Sequence, residues 1–393
     1  MTSEYMRLAL ADADLARGRT APNPPVGAVL VRAGLVVGRG HTQPAGEAHA
    51  EVMALRQAGA AARGATLYVT LEPCCHFGRT PPCTSALIEA DVTSVVVAID
   101  DPNPRVAGGG LTRLREAGIS VALGDGAAEA QDILLPFFKH ITSGLPYVTA
   151  KWAMSLDGKI ATTSGDSRWI SGPQAREWVH QLRDEVDAIV VGLGTVLADD
   201  PALTVRLTDG ESRRAERPGK PWRVVLDSSC RIPLTARLLS PQLAVGTILY
   251  VTEAAPLERC AAVAATGADV VTLPADHVGR LDVRAALADL GKRGLLHVLV
   301  EGGAEVHSSF INQALVDEVV AIIAPKLLGG ARAPGPVGGS GVHRMADALM
   351  LADLRTERLG DDVLLRGRLS PLGGAASHTL PGVSVGRGNM SNV

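Results

Sequence analysis

Between residues 49 and 83 the chain places His49-Ala50-Glu51, Pro73-Cys74 and Cys83. A fold that gathers one imidazole and two thiols around a single ion is tightly restricted, more than by any property of composition. The five cysteines stand at 74, 75, 83, 230 and 260. An odd set, with three members crowded together, suits metal binding or redox chemistry better than a disulfide scaffold.

One imidazole and two thiolates leave the fourth position of a tetrahedral zinc ion for water, as in a catalytic site. Water held there ionises near neutral pH and becomes a nucleophile. H-x-E followed by P-C is the pattern of zinc hydrolytic deaminases, in which the Glu moves protons and is not a ligand. Here the second cysteine comes later than that pattern places it. Positions i and i+2 of a helix point about 200° apart. His49 and Glu51 therefore cannot share a helix side, and the metal must lie off the helix's N-terminal end, where free N–H groups favour an anion. Two plainer readings stay open at this point. One is a closed zinc site with Cys75 or His76 as fourth ligand; the other is an ordinary amphipathic helix that happens to read H-A-E. Cys74 is preferred to Cys75 as the thiolate because it follows Pro73.

The 393 residues suffice for two domains, each with its own core. Residues 1–145 alternate strand-like and helix-like segments. They include a hairpin of GAVLV and LVVGRG turning at Arg32-Ala33-Gly34, a helix from about 49 to 62, and a closing helix in AQDILLPFFKHI. A second alternation occupies 146–370, with strands expected in PYVTAKWAM, AIVVGL, WRVVLD, TILYVT, DVVTLP, HVLVE and DEVVAIIAP. A helix in PQAREWVHQLRDE is expected to start behind Ser171 as N-cap. Residues 371–393 lack periodicity and are rich in Gly and Ser, and are expected to be a disordered tail. Both units are thus α/β.

The net charge of −3 and an aromatic content of 3% argue against a nucleic-acid partner, which would call for a basic face and stacking side chains. The basic run at Arg213, Arg214 and Arg217 reads as a solvated loop. No apolar run is long enough for a membrane span, and the N-terminus carries acids early on an amphipathic helix. A cytoplasmic enzyme with a small-molecule substrate is expected; a homo-oligomer is left open.

Longer stretches carry a more specific resemblance. NPPVGAVLV (23–31), GHTQPAGEAHAE (40–51), VTLEPCCHFGRTPPCTSALI (69–88) and DPNPRVAGGG (101–110) resemble the bifunctional riboflavin-biosynthesis deaminase/reductases. In that family the gap between the two cysteines is itself long. KWAMSLDGKIA (151–161), GDSRWIS (165–171), GTVLADDPALTVR (194–206), VLDSSCRIP (225–233) and VEGGAEVHSSFINQALVDEVVAIIAPKLLGG (300–330) resemble the family's reductase half.

The resemblance implies a cytidine-deaminase-like three-layer domain followed by a dihydrofolate-reductase-like domain, with one Zn2+ and NADPH. It implies His49, Cys74 and Cys83 as metal ligands, Glu51 as the catalytic proton carrier, and Asn23, His41, His76, Asp101 and Asn103 in the deaminase pocket. Cys75 and Phe77 stand where the motif commonly has Ser and His. At the reductase substrate it implies Ser167, Arg183, Leu203, Arg206 and Glu301. Along the cofactor it implies Ala153, Trp169, Thr195, Asp199, Ser228, Gly303, Ala304, Glu305, Val306, His307, Ser308 and Ser309.

Read from the residues alone, the second half says less. HVLVE runs into Gly302-Gly303 and a helix, a phosphate-compatible turn that is more often only a turn. Arg183 and Arg206 could hold a phosphate with their guanidinium forks, or pair with surface acids such as Asp184 and Glu185. Lys151 and Glu301 are the candidates for polar assistance to hydride transfer, with a purely structural pair as the alternative.

Overall fold

A computed structural model describes residues 1–207 and 221–369. The run at Arg213, Arg214 and Arg217 and the tail from 371 lie outside the described residues. One compact unit spans Met1–Ser143 and a second begins at Gly144.

The first unit contains α1 (Glu4–Leu15), β1 (Gly27–Arg32), β2 (Leu35–His41), α2 (Ala50–Ala58), β3 (Thr66–Val69), α3 (Cys83–Glu89), β4 (Ser94–Val97), α4 (Gly109–Glu116), β5 (Ser120–Leu123) and α5 (Ala127–Ser143). Its five strands run in the order β2-β1-β3-β4-β5. Strands β1 and β2 form the expected hairpin, with Arg32 opposite Leu35. Ala33 and Gly34, at φ 49° and 77°, make the two-residue turn in the left-handed region that strand twist favours.

Glycines set the layers. A Cβ on Gly27 would come within 1.9 Å of Ala9 O, so α1 rests directly on β1. A Cβ on Gly38 would meet Ala54 O at 2.2 Å, so α2 rests on β2. Gly27 pairs with His41 and Gly38 with Leu30, and paired residues of an antiparallel ladder share a face. Because side chains alternate along a strand, Gly27 and Leu30 face opposite sides. The two helices therefore sandwich the sheet, giving three layers. Arg39, on the α1 side, reaches Asp12 with two contacts of 2.9 and 2.7 Å.

The second unit adds β6 (Tyr147–Ser155), α6 (Pro173–Glu185), β7 (Ala188–Gly192), α7 (Leu193–Asp199), β8 (Trp222–Leu226), β9 (Thr247–Val251), α8 (Leu257–Ala264), β10 (Asp269–Thr272), α9 (Val283–Lys292), β11 (His297–Gly302), α10 (Ala304–Asn312), β12 (Glu318–Ala324), β13 (Leu351–Leu359) and β14 (Asp362–Leu369). The sheet order is β10-β9-β8-β7-β11-β6-β12-β14-β13. The strands from β10 to β12 are parallel, and all but the edge strand β10 are largely buried. The antiparallel β13–β14 hairpin closes the β12 edge.

Two details differ from the sequence reading. The N-cap of α6 is Gly172, not Ser171; its N–H donates to Asp362 Oδ2 at 2.7 Å, which fixes the helix start one residue later. The β13–β14 hairpin was not expected. The outer strand is largely exposed and follows no clean apolar alternation.

Candidate active sites

In the first unit, His49 is the N-cap residue of α2 in extended conformation, so its ring projects beyond the helix end while Glu51 sits in the first turn. His49 Nδ1 lies 3.3 Å from Cys83 Sγ and 3.7 Å from Cys74 Sγ, and the three donor atoms all fall within 4.8 Å of one another. Zinc bonds of ordinary length at tetrahedral angles would set such atoms about 3.6–3.8 Å apart. The donor set and its spacing thus fit zinc.

Cys83 is the first residue of α3, and its N–H donates to Cys74 Sγ at 3.3 Å. The contact with Cys83, then His49, pulls the Cys74 thiol down to about 4, while Cys83, facing Cys74 and buried, is held well above the usual thiol range. His49 Nε2 approaches Thr80 Oγ1 at 3.4 Å, an outer contact that fixes the ring's orientation. Cys75 is not part of the cluster; its sulfur packs toward Gly109 instead.

The cluster opens on a cavity of about 360 Å³. Asn23, Glu51, His76, Asp101 and Asn103 line it; His41, expected with them, does not. Glu51 is buried, which raises its carboxyl above the usual range. Burial also raises Asp101, to about 7. Phe77 is exposed and outside the lining.

Glu72, which the sequence reading passed over, organises this wall. It is buried, and its carboxylate accepts N–H groups from Asp101 (3.2 Å), Gly108 (3.0 Å), Gly110 (2.8 Å) and Leu111 (3.1 Å). One side chain thereby ties the loop bearing Asp101 and Asn103, and the start of α4, to the strand end that leads into Cys74. Its partners are backbone groups, so no residue pattern could have announced it.

In the second unit a cavity of about 380 Å³ opens beside β6, β7 and β11. Open parallel sheets bind ligands outside the carboxyl ends of their strands. Lys151, Ala153, Ser167, Trp169 and Thr195 line it, as do Asp199, Leu203, Arg206, Arg183 and Glu301. The β11–β7 register shifts between Val300 and Gly302, leaving Glu301 as the extra residue of a bulge. Such an irregularity re-aims a side chain. Glu301 takes both oxygens to Arg183, at 2.6 Å each, while Arg183 Nη1 donates to Thr204 O at 3.1 Å. The partner of Arg183 is thus neither Asp184 nor Glu185. Burial alone would raise the Glu301 carboxyl, but Arg183, helped by Lys151 and His180, brings it to about 2. Burial, with Arg183 next to it, lowers the Lys151 ammonium.

The remaining expected cofactor residues lie outside this lining. Ser228 Oγ accepts the Leu281 N–H at 3.0 Å. Gly303 is the N-cap of α10 without a side-chain cap, and Ala304, Glu305 and Val306 form its first turn. Gly302, at φ 140°, holds a conformation that favours glycine. His307 and Ser308 are turned into the protein: the His307 ring nitrogens face Pro336 O (2.9 Å) and Val300 O (3.2 Å), and Asn312 donates to Ser308 Oγ. Ser309 Oγ donates to Glu305 O. The side chains of 307 to 309 are thus engaged within the protein and the His307 N–H is spent on Gly303 O at 3.0 Å, so what α10 can offer a dinucleotide is the backbone at its start. An uncapped helix N-terminus behind two glycines is compatible with a pyrophosphate. The pocket also gathers Arg168, Arg176, His180 and Arg237, none of which stood out in the sequence.

A family model of the cytidine and deoxycytidylate deaminase zinc-binding region matches residues 1–99, and one of the RibD C-terminal domain matches residues 146–365. The riboflavin biosynthesis protein RibD of Escherichia coli (strain K12) is 43% identical over 366 residues, 92% of this chain and 97% of that protein. The chain belongs to the RibD family. It is a bifunctional deaminase and NADP-dependent reductase of riboflavin biosynthesis, using Zn2+ and NADPH. Solved structures agree in fold. RibD of Acinetobacter baumannii, form 1, superposes with a TM-score of 0.83 at 38% identity, covering 93% of this chain and 98% of that one. A diaminohydroxyphosphoribosylaminopyrimidine deaminase/5-amino-6-(5-phosphoribosylamino)uracil reductase from Thermotoga maritima gives 0.79 at 33% identity, with the same coverage. Among the described residues no helix is long and apolar enough to cross a membrane.

Proposed function

We propose that residues 1–145 deaminate 2,5-diamino-6-(5-phosphoribosylamino)pyrimidin-4-one and that residues 146–370 reduce the ribosyl chain of the product to ribityl. His49, Cys74 and Cys83 hold zinc, and the chemistry zinc supplies when bound is the activation of water. The observation that carries this reading is the placement of His49 at the cap of α2, with its Nδ1 at the spacing from both thiols that shared zinc ligands have and Glu51 in the first turn. Water adds at the carbon bearing the amine, the C–N bond breaks and ammonia leaves. Glu51 takes one proton from the water and passes it to the ring nitrogen, then takes the second from the added hydroxyl and passes it to the departing amine as the carbonyl forms. Asn23, Asp101 and Asn103 hold the pyrimidine, with Glu72 holding the loop that bears Asp101 and Asn103.

In the second unit NADPH supplies the hydride that reaches C1′ of the opened sugar. Glu301, kept ionised by Arg183, has no proton to give; Lys151, buried and close to the pair, is the proton source for the ring oxygen. Ser167, Leu203 and Arg206 line the substrate side, and Ala153, Trp169, Thr195 and Asp199 the cofactor side. A cytoplasmic location belongs to the same reading. A nucleic-acid deaminase with a silent second half is not favoured, because that half matches the RibD C-terminal domain.

The test is Glu51→Gln. The variant should keep its zinc and its reductase activity while ammonia release falls at least about a hundredfold, the scale of one general acid–base group. Full ammonia release would refute the role of Glu51.

A further inference from the structure

Cys230 and Cys260 stand outside the zinc cluster, and both carry free thiols. Cys230 closes the turn that follows β8. Its N–H donates to Asp227 O at 3.0 Å, and Asp227 Oδ2 accepts the Ile232 N–H at 2.8 Å. The turn holds Cys230 at φ 53°, in the left-handed region. Cys260 lies on α8, and its neighbour Arg259 reaches back to the turn, donating to Cys230 O at 3.3 Å and to Ile232 O at 2.6 Å. Both cysteines pack in one apolar cluster of the second unit, with the Cys260 thiol against that of Cys230. Cys230 is buried and Cys260 only in part.

Two thiols in contact become a disulfide when an oxidant takes two electrons from them, and the more accessible sulfur reacts first. With a peroxide, the Cys260 sulfur attacks one oxygen: the S–O bond forms, the O–O bond breaks, and hydroxide leaves with the thiol proton as water. The Cys230 sulfur then attacks that of Cys260. The S–S bond forms, the S–O bond breaks, and the departing hydroxide takes the Cys230 proton as a second water. Burial, then the adjacent Cys260 thiol, pushes the Cys230 thiol up to about 12, so it keeps its proton until that second step.

We propose that Cys230 and Cys260 form an oxidisable pair whose disulfide, made by a peroxide, weakens the hold of the reductase half on NADPH. The link runs through Ser228, two residues before Cys230. Its Oγ accepts the Leu281 N–H at 3.0 Å, and its carbonyl accepts the Thr252 N–H and hydroxyl at 3.0 and 2.9 Å. A disulfide bond is far shorter than a contact between two thiols, so its formation draws the turn and α8 together and disturbs these bonds. The turn stands at the carboxyl end of β8, the edge along which an open parallel sheet binds its ligand. This rests on the reading that NADPH lies along that edge and reaches Ser228.

The experiment treats the zinc-loaded full chain with hydrogen peroxide and then measures reduction of supplied 5-amino-6-(5-phosphoribosylamino)uracil, so that the zinc cysteines do not enter the readout. Part of each sample is unfolded, alkylated with N-ethylmaleimide and digested for mass spectrometry. The expected result is a peptide joining Cys230 to Cys260 and a KM for NADPH raised about fivefold, the scale of one hydrogen bond, with kcat little changed. Dithiothreitol should reverse both, and Cys260→Ala should lose both responses while keeping the untreated kinetics. Cys230 and Cys260 both still alkylated after peroxide overturn the pair. A KM shift that persists in Cys260→Ala, or a disulfide that leaves the KM alone, overturns the link to the cofactor. Ser228→Ala without peroxide separates that failure from one of the underlying reading: an unchanged KM for NADPH in this variant shows that the cofactor does not reach Ser228.

Discussion

Arg183 and Glu301, 118 residues apart in the chain, meet in a two-pronged ion pair with both N···O distances at 2.6 Å. Each side chain is mostly buried, at 13% and 8% exposure. The pair joins α6 to the bulge of β11 and so fixes the floor of the reductase cavity.

Replacing Arg183 with Lys keeps the charge and removes the fork. One ammonium cannot span both Glu301 oxygens and also reach Thr204 O. Breaking a buried pair costs on the order of 3 kcal/mol. The expected outcome is a lower melting temperature for the second unit and at least a tenfold drop in reductase kcat/KM, with ammonia release intact. Parallel calorimetry and NADPH-oxidation assays check it; an unchanged reductase would mean that the pair does not set the cavity.

The same pair gives a pH dependence with a definite sign. The folded Glu301 carboxyl sits at about 2, below its ordinary value of 4.5. A depressed carboxyl contributes stability that is present above the unfolded value and lost as pH falls through the folded one. The contribution, about 3 kcal/mol, should therefore be intact above roughly pH 5 and fade between there and pH 2. Acid unfolding of wild type and Glu301→Gln should converge toward pH 2. Parallel curves across that range would exclude this carboxyl as the cause.

Much of the deaminase half was legible because its chemistry dictates its geometry. The i, i+2 spacing of His49 and Glu51 forced the metal off a helix end, and His49 is indeed the cap of α2. The hairpin at Ala33-Gly34 was equally plain, since few residues tolerate its turn. Glu72 was invisible because its partners are backbone N–H groups 29 to 39 residues further on. In the reductase half, the family resemblance named Arg183 and Glu301 without revealing that they bind each other. His180 looked like any polar position of an amphipathic helix. The β13–β14 hairpin escaped because an edge strand with little buried face needs no apolar alternation.

Glu72→Gln tests how far one buried side chain governs the deaminase wall. A carboxamide presents one oxygen to donors that now share two, and its NH2 group opposes the rest. Leaving buried N–H groups unpaired costs about 1–3 kcal/mol each. Deaminase kcat/KM should fall tenfold or more through displacement of Asp101 and Asn103, while reductase kinetics stay at the wild-type value. Ammonia release at the wild-type rate would assign Glu72 to folding alone.

The central claim is that one chain performs zinc-dependent deamination and then NADPH-dependent reduction. It is tested most directly by supplying 2,5-diamino-6-(5-phosphoribosylamino)pyrimidin-4-one and NADPH to the enzyme before and after complete removal of zinc, and following ammonia and cofactor oxidation together. With zinc, ammonia should appear first and NADPH oxidation should follow it. Without zinc both should stop, and adding the deaminated uracil derivative should restore oxidation alone. Ammonia release that persists in the zinc-free enzyme would contradict the account.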